Sequence, residues 1–175
     1  MSWGTPGVAP SSDSQPLRVR AGTNEDVSFV FSGIRALAEF EALAHEFHGS
    51  EERLRTHLFG ASRCAEIMIA EADGMRVGYA LFFTTYSTFL TRPGLYLEDL
   101  YVIPEARRCG VGRTLLAELA RLAVERQCGR VEWSVLDWNK NAIALYDSVG
   151  AAPVRGWTSY RLDGPALAAL GGQRV

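Results

Sequence analysis

The stretch from Gly94 to Leu119 restricts this chain more than any other: an aromatic, branched run gives way to a glycine-bearing turn and a leucine-spaced helix. Tyr96 to Ile103 reads as a strand ending at Pro104, and it carries two adjacent carboxylates, Glu98 and Asp99, where apolar bulk is expected. Regular pleating sends those two acids to opposite faces, so both serve one site only if a bulge re-aims one. Burying a carboxylate on a central strand is costly without a partner. The structural explanation would be an ion pair to Arg18, Arg20 or Arg35. Beyond the turn, Leu115, Leu116, Leu119 and Leu122 mark one apolar helix face.

Three phosphate-binding patterns compete for the turn. A dinucleotide site needs G-x-G-x-x-G, but counting from Gly110 the third glycine position holds Leu115. A P-loop needs Gly-Lys-Ser/Thr, and Gly112 is followed by Arg113 and Thr114. R-x-x-G-x-G remains, filled by Arg107, Gly110 and Gly112. Glycines let backbone N–H groups approach a diphosphate without a Cβ in the way, and the helix start adds the positive end of its dipole. Arg108 and Arg113 add charge at the rim. Taken alone, a glycine turn before an ordinary helix explains the pattern equally well.

Elsewhere the chain reads as alternating elements of a single globular domain. Residues 1–16 form a polar, small-residue segment expected to be a disordered tail, and the domain is expected over residues 17–175. A strand at Leu17–Arg20 precedes a helix from Val27 to about Glu41 and a second from Glu51 to Leu58. Strands at Ala65–Ala70 and Arg76–Tyr86 flank the hairpin signal Ala72-Asp73-Gly74. After the glycine turn, a helix from Val111 to Arg126 is expected to end near Cys128-Gly129. A strand over Val131–Leu136, a short helix beginning at Asn139 and ending before Gly150, a last strand over Trp157–Leu162 and a helical tail after Pro165 complete the order. That order implies an α/β (α+β) mixed sheet with helices on both faces.

Composition excludes other classes. Net charge of −2 with scattered basic residues argues against general nucleic-acid binding. No apolar run approaches the roughly 20 residues of a membrane helix, so no membrane partner is expected. Three cysteines without a C-x-x-C pair point to a reduced, cytoplasmic setting. His45, His48 and His57 lack a completing set of Cys or carboxylate ligands, so no metal site is expected. Trp133, Trp138 and Trp157 read as core residues.

A second block, Asp137-Trp138-Asn139-x-x-Ala142-x-x-Leu145-Tyr146 ending in Gly150-Ala151, places positions 139, 142, 143 and 146 on one side of a helix. A phenol, with a reference pKa of about 10, suits protonation of a leaving thiolate, although an isolated helix tyrosine is more often simply packed by its ring.

YLEDLYV-x-P, R-x-x-G-x-G and VLDWN-x-x-A-x-x-LY-x-x-x-GA, in this order, resemble the diamine acetyltransferase branch of the GNAT superfamily, which includes spermidine/spermine and thialysine acetyltransferases. Leu37-Ala38-Glu39-Phe40-Glu41 resembles that branch's helix-end motif, and the likeness runs from about Leu17 to Leu162. The resemblance implies the GNAT fold, a mostly antiparallel central sheet flanked by helices on both faces. It implies acetyl-CoA as co-substrate, with Tyr146 as general acid and Glu98 binding the amine and helping to remove its proton. Backbone groups of Leu100, Tyr101 and Val102 would pair with the pantetheine arm, and the turn of Arg107, Arg108, Cys109, Gly110, Val111, Gly112 and Arg113 would hold the diphosphate. Asn139, Lys140, Asn141 and Ala142 would also touch coenzyme A. Phe40, Glu41, Phe89, Asp99, Arg155 and Trp157 would line the amine side.

The chain departs from the polyamine pattern where Ser87-Thr88-Phe89 replaces an acid and a tryptophan, and where Arg155 replaces an acid before Gly156-Trp157. Fewer acids and an added cation favour a short diamine or a lysine-like amino acid over a long polycation. A homodimer is expected from the family. Acetylation of a protein N-terminus or lysine is the rival enzymatic reading, and a non-catalytic coenzyme A-binding regulator the rival outside enzymes.

Overall fold

The computed structural model describes residues 16–172; the expected tail lies almost wholly outside them. By compactness the chain divides into Met1–Lys140 and Asn141–Val175. The first unit holds a five-stranded sheet in the order β1-β2-β3-β4-β5. Its strands are β1 (Arg18–Ala21), β2 (Glu66–Ala72), β3 (Met75–Ser87), β4 (Arg92–Val102) and β5 (Val131–Glu132). Three helices accompany them: α1 (Val27–Phe40), α2 (Glu51–Phe59) and α3 (Val111–Glu125). β1 to β4 pair antiparallel, and β5 joins β4 in parallel.

Local chemistry explains the elements. Asp73 and Gly74 both have positive φ, 51° and 74°, as a tight hairpin of primed type requires. Ser50 caps α2 by accepting from the Arg53 amide at 3.2 Å. α3 ends at Glu125, and the left-handed position falls two residues before Gly129: Gln127, at φ 57°, takes it, and the Cys128 amide reaches back to the Ala123 carbonyl at 2.8 Å. Ala42 closes α1 in the same way, with the Leu43 amide donating to the Ala38 carbonyl at 2.8 Å.

Consecutive β3 residues show the two faces. A Cβ at Gly33 of α1 would lie 2.5 Å from the Tyr79 ring and 2.9 Å from that of Tyr101, so only glycine lets α1 press onto them. A Cβ at Gly78 would instead meet Val111 and Leu115 of α3 at 3.2 and 3.5 Å. Val27, Val30, Leu58, Ile67, Ile69, Tyr79, Leu81 and Tyr101 form the core on the α1 and α2 side, while Leu115, Leu116 and Leu119 are buried on the α3 side.

Two expectations are corrected. The strand expected over Val131–Leu136 stops at Glu132, because β4 and β5 pair only at Leu95↔Val131 and Tyr96↔Glu132 and then separate. Trp157–Leu162 forms no strand: these residues are exposed, Pro153 lacks an amide donor, and Gly156 turns the chain at φ 83°. The second unit contains most of α4 (Lys140–Ser148) and α5 (Gly164–Gly171).

Candidate active site

The separation of β4 from β5 defines the site. The Tyr96 hydroxyl and the Ser134 hydroxyl stand 2.8 Å apart just past the last backbone pair. Beyond them, the side of β4 turned away from β3, over Leu97 to Val102, has no strand partner among the described residues. Such an edge offers N–H and C=O groups to any extended amide-bearing ligand laid alongside it.

That open edge runs straight into the glycine turn. Arg107 folds back so that its Nε donates to the Val102 carbonyl at 3.1 Å, fixing the turn to the strand end. Arg108 and Gly110 are both left-handed, at φ 64° and 83°. Gly110 is the residue before α3, and its carbonyl accepts the first helical bond, from the Thr114 amide, at 3.0 Å. The first amides of α3 lie at the positive end of the helix dipole, an arrangement that suits an anion. Arg108, Cys109 and Arg113 are exposed along this turn. A diphosphate fits its chemistry, and a pantetheine arm fits the strand edge leading to it.

The carboxylates lie at the strand's midpoint. Leu81 pairs with Asp99 and Phe82 with Leu97, so Glu98 is the extra residue of a bulge. Asp99 consequently shares its face with Tyr79 and Tyr101, while Glu98 is exposed. The Tyr79 hydroxyl donates to Asp99 Oδ2 at 3.3 Å. Burial pushes the Asp99 carboxyl up, the neighbouring Glu98 charge adds to this, the Tyr79 hydrogen bond opposes it, and Glu41 adds again; the result is about 6. Burial likewise raises Glu41. Arg18 and Arg20 do not neutralise this pair of acids, as an ion-pair explanation of them would require. Both arginines bind Glu71, at 2.6 and 2.7 Å, and Arg20 also binds Asp26.

At the end of α1, Phe40 and Trp138 stack with ring centroids 5.4 Å apart, tilted by 51°. Trp138 is 50% exposed and Trp157 76%, so neither is the core residue expected. Phe89 is 87% exposed at the far end of the β3–β4 hairpin. At about 3.3 Å per residue, six residues of β4 separate that end from Glu98, so a single protomer does not bring Phe89 to the carboxylates. Tyr79 does not stand out in the sequence; its one signal is a phenol inside the apolar run of β3, where a buried hydroxyl needs a partner.

In the second unit, Tyr146 is half-buried near the end of α4. Its carbonyl accepts from the Ala151 amide at 3.1 Å, and Gly150 takes the left-handed cap at φ 84°. Ala142 is half-buried, Asn141 exposed and Arg155 exposed. In the first unit the Asn139 amide donates to the Leu136 carbonyl at 2.8 Å, and Lys140 Nζ donates to the Asp137 carbonyl at 3.2 Å. Among the described residues, no cluster of three His, Cys, Asp or Glu side chains could hold a metal, and no helix is long and apolar enough to cross a membrane.

Residues 34–151 match the model of the acetyltransferase (GNAT) family. Thialysine N-epsilon-acetyltransferase of Mus musculus is 38% identical over 167 residues, covering 89% of this chain and 98% of the relative. L-ornithine N5-acetyltransferase NATA1 of Arabidopsis thaliana is 30% identical over 210 residues, covering 94% and 92%. Among solved structures, an integron cassette protein from the mobile metagenome of V. cholerae superposes with a TM-score of 0.74 at 23% identity, covering 90% of this chain and 98% of that one.

Proposed function

This chain belongs to the GNAT family as an N-acetyltransferase of the diamine/thialysine branch, and we propose that it acetylates the side-chain amine of a lysine-like amino acid or short diamine. The observation that carries the reading is the β4 edge left open past Tyr96 and leading into the left-handed turn before α3. GNAT enzymes use acetyl-CoA, and bound here it would supply the acetyl thioester. Leu100, Tyr101 and Val102 offer backbone groups to the pantetheine arm, and residues 107–113 receive the diphosphate. Residues 139–142 make further contacts with coenzyme A.

The chain's own groups do the rest within a single domain over residues 17–175. Glu98, exposed in the bulge, binds the incoming ammonium and helps remove its proton, directly or through water. Neutral amine then attacks the thioester directly, with no covalent enzyme intermediate, and Tyr146 gives its proton to the departing thiolate. Phe40, Glu41 and Asp99 shape the amine side, joined by Trp157 and by Arg155, which meets the carboxylate of an amino-acid substrate. Relatives named for thialysine and ornithine acetylation support an amino acid bearing a side-chain amine. A homodimer in the cytoplasm completes the proposal: Trp157 and Tyr160, 76% and 94% exposed, are apolar surface that a second copy could cover.

An amine panel followed by free-thiol release tests this. Lysine-like amino acids and short diamines should be turned over well above spermine and peptide amines. Equal turnover of spermine and lysine-like amines would remove the basis for the substrate assignment.

A further inference from the structure

The bulge at Glu98 has a second consequence, for the residue behind it. Asp99 is turned onto the α1 side of the sheet, opposite Leu81 and in phase with Tyr101. There it meets the hydroxyl of Tyr79, a side chain with no exposed surface. The Tyr79 ring cannot drift: it stands 5.6 Å from the Tyr101 ring and 6.3 Å, edge-on, from Phe29, with Gly33 of α1 pressed against it. A phenol gripped on every side and aimed at one carboxylate is a fixed hydrogen-bond donor.

Resting on the amine-acetyltransferase reading above, we infer that Asp99 is the final acceptor of the substrate ammonium proton and that Tyr79 is the positioning residue that holds it for this task. One N–H bond of the ammonium at Glu98 breaks and an O–H bond forms on Asp99, leaving the nitrogen lone pair free. As the C–N bond forms and the C–S bond breaks, Tyr146 protonates the sulfur. The nitrogen's remaining surplus proton leaves through water, from which Tyr146 is restored, and Asp99 returns its own proton to solvent. The groups facing Asp99 are consistent with this role. Glu98 from its own strand and Glu41 from the end of α1 are both acidic and favour its protonated form, while the Tyr79 hydrogen bond favours the ionised form. A carboxyl brought to about 6 is a better proton acceptor near neutrality than an ordinary one.

Two readouts on the full chain test the inference. The first is the Asp99 titration itself, as the infrared carboxylate difference between the wild type and Asp99→Asn. In Tyr79→Phe, which keeps the ring, this titration should move to higher pH, because a hydrogen bond to the ionised form has gone. The second is kcat/KM against pH with a lysine-like amine. Its acid limb should move upward with the titration in Tyr79→Phe. In Asp99→Asn the limb should vanish and the rate fall by about 10²–10⁴-fold. A titration unmoved in Tyr79→Phe overturns the positioning role. A limb that persists in Asp99→Asn, measured on folded protein, overturns the acceptor role while leaving the acetyltransferase reading intact. A wild type that acetylates no amine overturns that reading and the acceptor role together, and the infrared titration then still decides the Tyr79–Asp99 link alone.

Discussion

Arg20 grips Asp26 with both ends of its guanidinium, Nη1 to Oδ2 at 2.7 Å and Nη2 to Oδ1 at 2.9 Å, and the Asp26 side chain has no exposed surface. Arg76 and the Thr23 amide bind the same carboxylate, so one buried charge ties β1, the start of α1 and β3 together. A buried pair of this kind adds little over a well-packed apolar substitute, but breaking it leaves a charge stranded.

Asp26→Ala should therefore cost about 3–5 kcal/mol, measured by urea unfolding, with no direct effect on the carboxylates of β4. The pH dependence has a definite sign. Burial would raise the Asp26 carboxyl, but the Arg20, Thr23 and Arg76 bonds outweigh it and hold it well below the usual range; the Arg20 bond leads in lowering Glu71. Groups with depressed folded values stabilise above the unfolded value of about 4 and lose that contribution as pH falls further. Melting temperature should drop steeply below about pH 4 in the wild type and less steeply in Asp26→Asn.

Gly110 sits at φ 83° with nothing within 4 Å of where a Cβ would stand, so conformation and not space reserves the position. Gly110→Val should cost about 1–2 kcal/mol of stability and weaken acetyl-CoA binding at least tenfold by calorimetry. Unchanged affinity would remove the turn from the cofactor site.

Tyr146→Phe removes a proton and keeps the ring. Turnover should fall by about 10²–10⁴-fold with little change in acetyl-CoA affinity. An unchanged rate would take Tyr146 out of the mechanism.

Trp138 stacks on Phe40 next to Glu41, on the side assigned to the amine. Trp138→Ala should raise KM for a lysine-like amine about five- to tenfold with kcat nearly unchanged, the split expected when binding is lost equally from the ground state and the transition state, and Trp138→Phe should recover most of it. Equal KM in all three proteins would make the ring pair purely structural.

Much of this architecture is legible in the sequence because period and punctuation coincide. Asp73-Gly74 announces its hairpin, and the leucines of α3 announce their face. Glu98 beside Asp99 raises the question of a bulge, and the register shift opposite Leu81 and Phe82 answers it. What stays hidden depends on distant partners. No local pattern tells that Arg18 and Arg20 are committed to Glu71, that β5 leaves β4 after Glu132, or that Tyr79 reaches Asp99 across a strand. Trp157 reads as core because its composition is apolar, yet it lies on the surface, since burial depends on what packs against a residue and not on the residue alone.

The central claim is that the open edge of β4 and the turn before α3 seat one acetyl-CoA molecule. A crystal structure with acetyl-CoA bound should place the diphosphate against the amides of residues 108–113, the pantetheine arm along Leu100–Val102 and the sulfur beside the Tyr146 hydroxyl. A diphosphate lodged elsewhere, or a Tyr146 hydroxyl directed away from the sulfur, would contradict it.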